Sequence, residues 1–129
     1  MKSFPQLAML FFCLNLTAQN QAEKIKLHQF KSCEDNPCRV MRSFLLAEHF
    51  LETDDIESSQ KWLQKTKDLV SPKVTDTTTV FIHSLQSELF YYMGLFQFGT
   101  YEAKKGIEKA NQLKVPIVSE DDFLTMISQ

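Results

Sequence analysis

The stretch Ser43–Leu69, SFLLAEHFLETDDIESSQKWLQKTKDL, decides the fold of this 129-residue chain. Its apolar and small residues recur at spacings of three and four, the period of one face of an α-helix. That face is formed, before and after an acidic turn, by Leu46, Ala47, Phe50, Ser59, Leu63 and Thr66. The stretch therefore predicts two antiparallel amphipathic helices, with small residues where the helices meet.

Helix-breaking residues set the bounds of this first hairpin. Pro37 suits the first turn of a helix, so we expect the first helix to begin there. Asp54 or Asp55 can cap the second helix, which is expected to end near Val70, ahead of Pro72.

Three further helices are predicted beyond the polar, β-branched linker 73–79. A long third helix is expected to end at Gly99 and Thr100, and a fourth to cover Tyr101–Lys114. A fifth, short helix should begin at Ser119. The pattern predicts an all-α fold.

The N-terminal segment 1–18 has the layout of a secretory signal peptide. Lys2 precedes an apolar run over Leu7–Leu16, and small and polar residues follow. This run is too short to span a bilayer, which needs about 20 apolar residues. We expect cleavage after Ala18 and export to the periplasm or the extracellular space. A lipid anchor at Cys13 is the weaker alternative, because two phenylalanines stand where that signal has small residues.

The charge of the chain argues against some classes of partner. It has 14 basic and 16 acidic residues, so removal of Lys2 with the signal would leave a net charge of −3. No cluster of lysine and arginine could neutralise a line of phosphates, and we expect no nucleic-acid partner. No stretch after residue 18 is apolar for long enough to predict a membrane span.

Two cysteines, Cys33 and Cys38, flank a short Glu-Asp-Asn-Pro turn in the polar segment 19–39. In an oxidising compartment they are expected to form a disulfide that closes a small loop, worth about 2 kcal/mol by loop entropy. The alternatives are two free thiols, or a metal site that also uses His28. Because this spacing matches no standard zinc pattern, we expect no metal ion.

The hairpins resemble tetratricopeptide repeats, whose period is about 34 residues. In the first unit, the family's large and small positions are matched by Leu46, Ala47, Phe50, Ser59, Leu63 and Thr66. Ser59 and Thr66 stand where alanine is usual, and Ser43 stands where a large residue is usual. In the second unit, Met93 and Gly94 resemble the family's large and small pair. In the second helix of this unit, the family's small, large and small positions are matched by Ala103, Ile107 and Ala110.

This resemblance implies antiparallel helical hairpins stacked as a short, right-handed, tetratricopeptide-like solenoid. It would cover residues 40–129, with two hairpins and the start of a third. In that family the first helix of each hairpin lines a groove that binds partners. Carried over by position, with Gly94 setting the register of the second unit, the groove residues are Met41, Phe44, Glu48, Leu51, Glu52, Glu88, Tyr91 and Leu95. Alternatively, the apolar ones among them pack on residues 19–36 or on a partner subunit, and the glutamates form a solvated surface.

Motifs of catalysis are absent from the sequence. There is no H-E-x-x-H, G-x-S-x-G or phosphate-binding glycine loop, and the three histidines are scattered. We therefore expect no catalytic residue and no cofactor.

The function expected from these patterns is that of an exported helical-repeat module that binds a protein or a peptide. It resembles the N-terminal sensory or scaffold part of larger bacterial proteins, and it could also self-associate through the exposed end of its stack. The alternative is a compact secreted helical inhibitor or immunity-type protein that acts on a single partner.

Overall fold

A computed structural model describes residues 4–71 and 76–113, with side chains from Ala18 onward. These residues contain no strand and form five helices: α1 (Phe4–Lys31), α2 (Asn36–Glu52), α3 (Ile56–Leu69), α4 (Thr77–Tyr92) and α5 (Phe96–Gln112). α2 packs on α3 and α4 on α5 as two hairpins, and α3 packs on α4. The predicted all-α, repeat-like fold is confirmed. The helix predicted from Ser119 lies outside the described residues.

Aspartate side chains cap the N-termini of three helices. Asp35, Asp55 and Asp76 each accept a hydrogen bond from a backbone N–H two or three residues later, at 2.8, 3.1 and 2.9 Å. α5 has Leu95 at this position and no side-chain cap. The cap of α3 is thus Asp55, and Asp54 lies in the turn before it.

The turns of the two hairpins share one backbone geometry. Asp54 and Gly94 have φ angles of 61° and 76°, in the left-handed region that suits glycine and is tolerated by aspartate. In both turns the N–H of the next residue donates to the carbonyl five positions earlier, over 2.8 Å. The two hairpins therefore align with Asp54 on Gly94, which is a longer offset than the tetratricopeptide period of about 34 residues.

A buried serine hydroxyl joins the two helices of each hairpin. Ser59 on α3 donates to the carbonyl of Ala47 on α2 over 2.7 Å. In the second hairpin Ser87 on α4 donates to the carbonyl of Gly99 on α5 over 2.6 Å. When the two turns are aligned, Ser59 matches Gly99 and Ala47 matches Ser87. Each crossing pairs one serine with a smaller residue, which lets the two backbones approach closely and satisfies the buried donor.

The predicted bounds of the second hairpin are wrong, because two glycines have exchanged roles. Gly99 does not end a helix: it is buried inside α5, against the ring of Tyr91. Gly94 is not a packing residue: it lies in the turn that follows Tyr92. The sequence misleads here because glycine suits both a turn and a close contact, and aromatic residues surround both positions.

The main hydrophobic core lies where the first hairpin packs on α4. It consists of Ala47, Leu51, Leu63, Ile82, Leu85 and Leu89, with Phe44, Ile56, Trp62 and Val70 packed against it. The second hairpin has a smaller cluster, in which Tyr91 and Ile107 pack on Ala103. The α4–α5 contact therefore depends more on close approach than on apolar area.

Polar residues that depart from the tetratricopeptide pattern form buried hydrogen bonds. The hydroxyl of Thr66 lies 2.8 Å from that of Ser43, so this pair joins α3 to α2. Both side chains are fully buried, as is that of Ser59. Because each buried hydroxyl has a partner, these substitutions avoid the free-energy cost of an unsatisfied polar group.

Helix α1 is longer than the sequence indicates. Residues 19–36 predict only a short helical turn or a tail, yet α1 continues to Lys31. The ring of Phe30 packs edge-on against Trp62 of α3, with centroids 5.1 Å apart, and Arg42 of α2 donates to the side chain of Gln29. Glu23 and Lys26 share the packed face with Leu27 and Phe30, so hydropathy alone conceals it. Cleavage after Ala18 stays a prediction.

The sulfur atoms of Cys33 and Cys38 are 2.04 Å apart, which confirms that the two cysteines lie at bonding distance. Cys33 follows the end of α1, and Cys38 lies in the first turn of α2. The link therefore holds the C-terminal end of α1 next to the first turn of α2.

Removing this link should destabilise the fold. The Cys33→Ser/Cys38→Ser variant is expected to lose about 2 kcal/mol of the free energy of unfolding, because the unfolded chain regains loop entropy. Urea denaturation monitored by circular dichroism measures the loss. A reducing agent should lower the stability of the unsubstituted chain to that of the variant and leave the variant unchanged. An equal effect of the reducing agent on both chains would contradict this account.

Gly99→Ala should separate the helices of the second hairpin. An added Cβ would lie 2.5 Å from the Tyr91 ring and 3.2 Å from the Ser87 carbonyl oxygen. We expect a loss of about 1–3 kcal/mol, whereas an uncrowded Gly→Ala change in a helix stabilises by about 1 kcal/mol. Thermal unfolding measures the change. Gly94→Asn is the control, because asparagine tolerates the left-handed turn and no atom lies within 4 Å of the added Cβ.

Candidate partner-binding face

The first helices of the two hairpins, α2 and α4, lie side by side and expose large apolar side chains. The rings of Phe44 and Phe81 meet across the two helices, with centroids 6.3 Å apart. Met41 lies on the same side of α2, three residues before Phe44. Met41 is 62% and Phe81 58% exposed, whereas Phe44 is half-buried because it also packs on the core.

Three glutamates continue this surface toward the C-terminal ends of the same helices. Glu48 and Glu52 follow Phe44 by one and two helical turns, and Glu88 follows Phe81 by two. Glu48 and Glu52 both act electrostatically on Glu88, so the three carboxylates lie near one another. Within the described residues none of them forms a salt bridge. The α2–α4 face is defined here as Met41, Phe44, Glu48, Glu52, Phe81, Glu88 and Tyr92.

The environment of this face disfavours the ionised carboxylates. Burial raises the pKa of Glu88, and repulsion from Glu48 and Glu52 raises it further. Burial likewise raises the pKa of Glu48, and Glu52 adds to the rise, while Lys26 of α1 acts in the opposite direction. The C-terminal ends of α2 and α4 add partial negative charge close by. At neutral pH these charges therefore oppose folding.

Three of the eight groove residues predicted from the sequence are placed away from this surface. Leu51 is only 4% exposed and belongs to the core. The ring of Tyr91 points into its own hairpin, against Gly99 and 5.4 Å from the ring of Phe96. Leu95 lies in the turn, because Gly94 does not set the register assumed for it. The other five predicted residues share the α2–α4 face.

Sequence reasoning missed two members of the face, Phe81 and Tyr92. The alignment of the two turns pairs Phe81 with Met41 and Tyr92 with Glu52, just as it pairs Glu88 with Glu48. Both missed residues are 58% exposed. The signal that could have found them is Gly94 in its role as a turn residue, since that position fixes the register of α4.

Histidines and cysteines contribute no separate site in the part of the chain that the structure describes. There, no three or more histidine, cysteine, aspartate or glutamate side chains are placed to hold a metal ion. His83 of α4 contacts Glu102 of α5 over 2.7 Å, both side chains being 18% exposed, so this pair joins the helices of the second hairpin. Over the same residues, no helix has the length and apolar character needed to cross a membrane.

A second exposed apolar surface lies on the turn and outer side of α5. Phe96, Phe98 and Tyr101 are each about 60% exposed. Lys105 lies 4.4 Å from the centroid of the Tyr101 ring, which is a cation–π distance. Aromatic rings are exposed on both surfaces, but this one also presents a lysine, on which Glu102 and Glu108 act.

Comparison of the chain with family models, curated proteins and solved structures found no match.

Replacing Glu48 and Glu88 with glutamine should stabilise the fold at pH 7. The double variant removes like-charge repulsion, which costs about 0.2–0.5 kcal/mol for each neighbouring pair. Because the folded pKa values are raised, the native chain binds more protons than the unfolded one as pH falls toward about 4.3. Protonation then removes the free-energy penalty of the like charges in the unsubstituted chain. The difference in the free energy of unfolding between the variant and the unsubstituted chain should therefore shrink. Urea denaturation at pH 7 and pH 4 measures both differences.

A matched control removes two carboxylates elsewhere. Glu57→Gln/Glu108→Gln changes the net charge equally, but both residues are exposed and lie outside the face. It should give no gain in stability at pH 7. An equal gain in both double variants would show that net charge, and not the arrangement on the α2–α4 face, is responsible.

Proposed function

We propose that this chain is an exported helical-repeat module that binds a protein or peptide through the α2–α4 face and performs no chemistry. The observation that carries the proposal is the combination, on one rigid surface, of exposed apolar side chains with carboxylates that have no ion pair among the described residues. The α2–α4 face lowers the stability of the free chain, and a partner that covers the face would remove this loss of stability.

The scaffold beneath the face suits this role. α4 is held by the main core on the α3 side and by the Ser87–Gly99 contact on the α5 side. Phe81 and Glu88 therefore occupy fixed positions relative to α2. Preorganised side chains bind with a smaller loss of conformational entropy than mobile ones do. The resemblance of the first hairpin to tetratricopeptide units, which bind peptides with the equivalent helices, supports the same proposal.

Export is supported by the cysteine pair and by the signal-like N-terminus. A disulfide-length contact between Cys33 and Cys38 is typical of proteins that enter an oxidising compartment. The apolar run Leu7–Leu16 is the segment that would direct the chain there.

The test is a selection from a displayed library of random peptides on the purified full chain, followed by affinity measurements on variants. Phe81→Ala should weaken selected peptides at least tenfold, about 1.4 kcal/mol, because it removes the exposed ring at the apolar end of the face. Phe98→Ala is the matched control: it removes the same side chain, 59% exposed, from α5. Fluorescence anisotropy measures both affinities.

The proposal fails in either of two outcomes. No peptide is selected over an unrelated helical protein, or Phe98→Ala weakens the selected peptides as much as Phe81→Ala does. The second outcome would place binding on the outer side of α5.

A further inference from the structure

We infer that the partner of the α2–α4 face is a polypeptide segment that carries a lysine or arginine side chain about two helical turns' length, or about 10 Å, from an apolar one. This inference rests on the proposed function and adds the chemistry of the partner. It follows from the arrangement of the face, which is apolar at one end and acidic at the other on both helices.

The apolar end is a shallow site for one side chain. Phe44 and Phe81 meet at 6.3 Å and tilt by 55°, and Met41 lies beside them on α2. An apolar side chain seated here would cover the exposed parts of Met41 and Phe81. Burial of such surface is the main favourable contribution in most protein–protein contacts.

The acidic end is suited to a cation from outside. Glu48, Glu52 and Glu88 come from two helices and act on one another electrostatically. The salt bridges among the described residues lie elsewhere: Lys61 pairs with Glu57, and His83 with Glu102. Lys26 of α1 acts on Glu48, but it is not among the charges that shift the pKa of Glu88. A guanidinium or ammonium group bound among the three carboxylates would attract each of them and so offset their mutual repulsion.

Helix geometry sets the distance between the two groups of the partner. Phe81 and Glu88 are seven residues apart on α4, which corresponds to about 10 Å along the helix axis. An extended segment spans this distance in about three residues. Anchors separated in this way fix the direction in which the segment lies, from the Phe81 end toward the Tyr92 end.

The first test uses the peptides selected on the unsubstituted chain. We expect lysine or arginine to be enriched near an apolar residue in them. In a selected peptide, replacement of that arginine by neutral citrulline should weaken binding at least tenfold. Selected peptides without basic enrichment would overturn the inference and leave the proposed function standing. A failure to select any peptide would overturn both.

The second test measures whether the cationic side chain of the peptide binds at the three carboxylates. On Glu48→Gln/Glu88→Gln, the arginine-to-citrulline change should alter affinity less than threefold, because two of the three carboxylates that bind the cation are gone. On the charge-matched control Glu57→Gln/Glu108→Gln the tenfold preference should persist. An undiminished preference on the first variant would overturn the assignment. Circular dichroism and thermal unfolding of each variant show that it is folded.

A charge reversal gives a gain of function that misfolding cannot imitate. Glu88→Lys should bind the peptide in which the arginine is replaced by glutamate more tightly than the unsubstituted chain does, because the change removes one of three repelling carboxylates and adds a cation. Raising sodium chloride from about 50 to about 500 mM should weaken the native pair and affect the citrulline peptide little. Equal rejection of the glutamate peptide by Glu88→Lys and by the unsubstituted chain would contradict the inference.

Discussion

The close approach of two helices at a small residue is the constraint on which the whole structure depends. At each hairpin crossing a serine hydroxyl reaches the backbone of the opposite helix, in 2.7 Å and 2.6 Å hydrogen bonds. A larger side chain at Gly99 would meet the ring of Tyr91 and force α4 and α5 apart. Because α4 also supplies three of the seven residues of the α2–α4 face, the position of that face depends on the same contact.

The two hairpins are stabilised in different ways. The first shares a large apolar core with α4, while the second combines small residues with the His83–Glu102 pair. Lys67 of α3 donates to Gln86 of α4 over 2.5 Å, and burial lowers the pKa of this lysine. With less apolar area to bury, α5 is joined to α4 mainly by the Ser87–Gly99 contact and the His83–Glu102 pair.

The first hairpin could be predicted because periodic and helix-breaking signals coincide in it. Apolar residues recur every three or four positions up to Glu52, and the acidic turn interrupts them at one place. In the second hairpin the run from Phe90 to Phe98 is apolar on all sides, so its period does not fix where one helix ends. A register that treats Gly94 as a packing residue is therefore wrong. Consequently the sequence predicts the α2 half of the face but misses Phe81 and Tyr92.

The two sides of the helical stack differ in polarity. Over residues 18–31, the outward side of α1 carries mainly lysine, glutamine and histidine, with Ile25 as its large exposed apolar residue. Phe96 at the start of α5, and Phe98 and Tyr101 farther along this helix, are exposed aromatic residues. A contact in which two copies bury this same aromatic side is isologous, so it closes at a dimer.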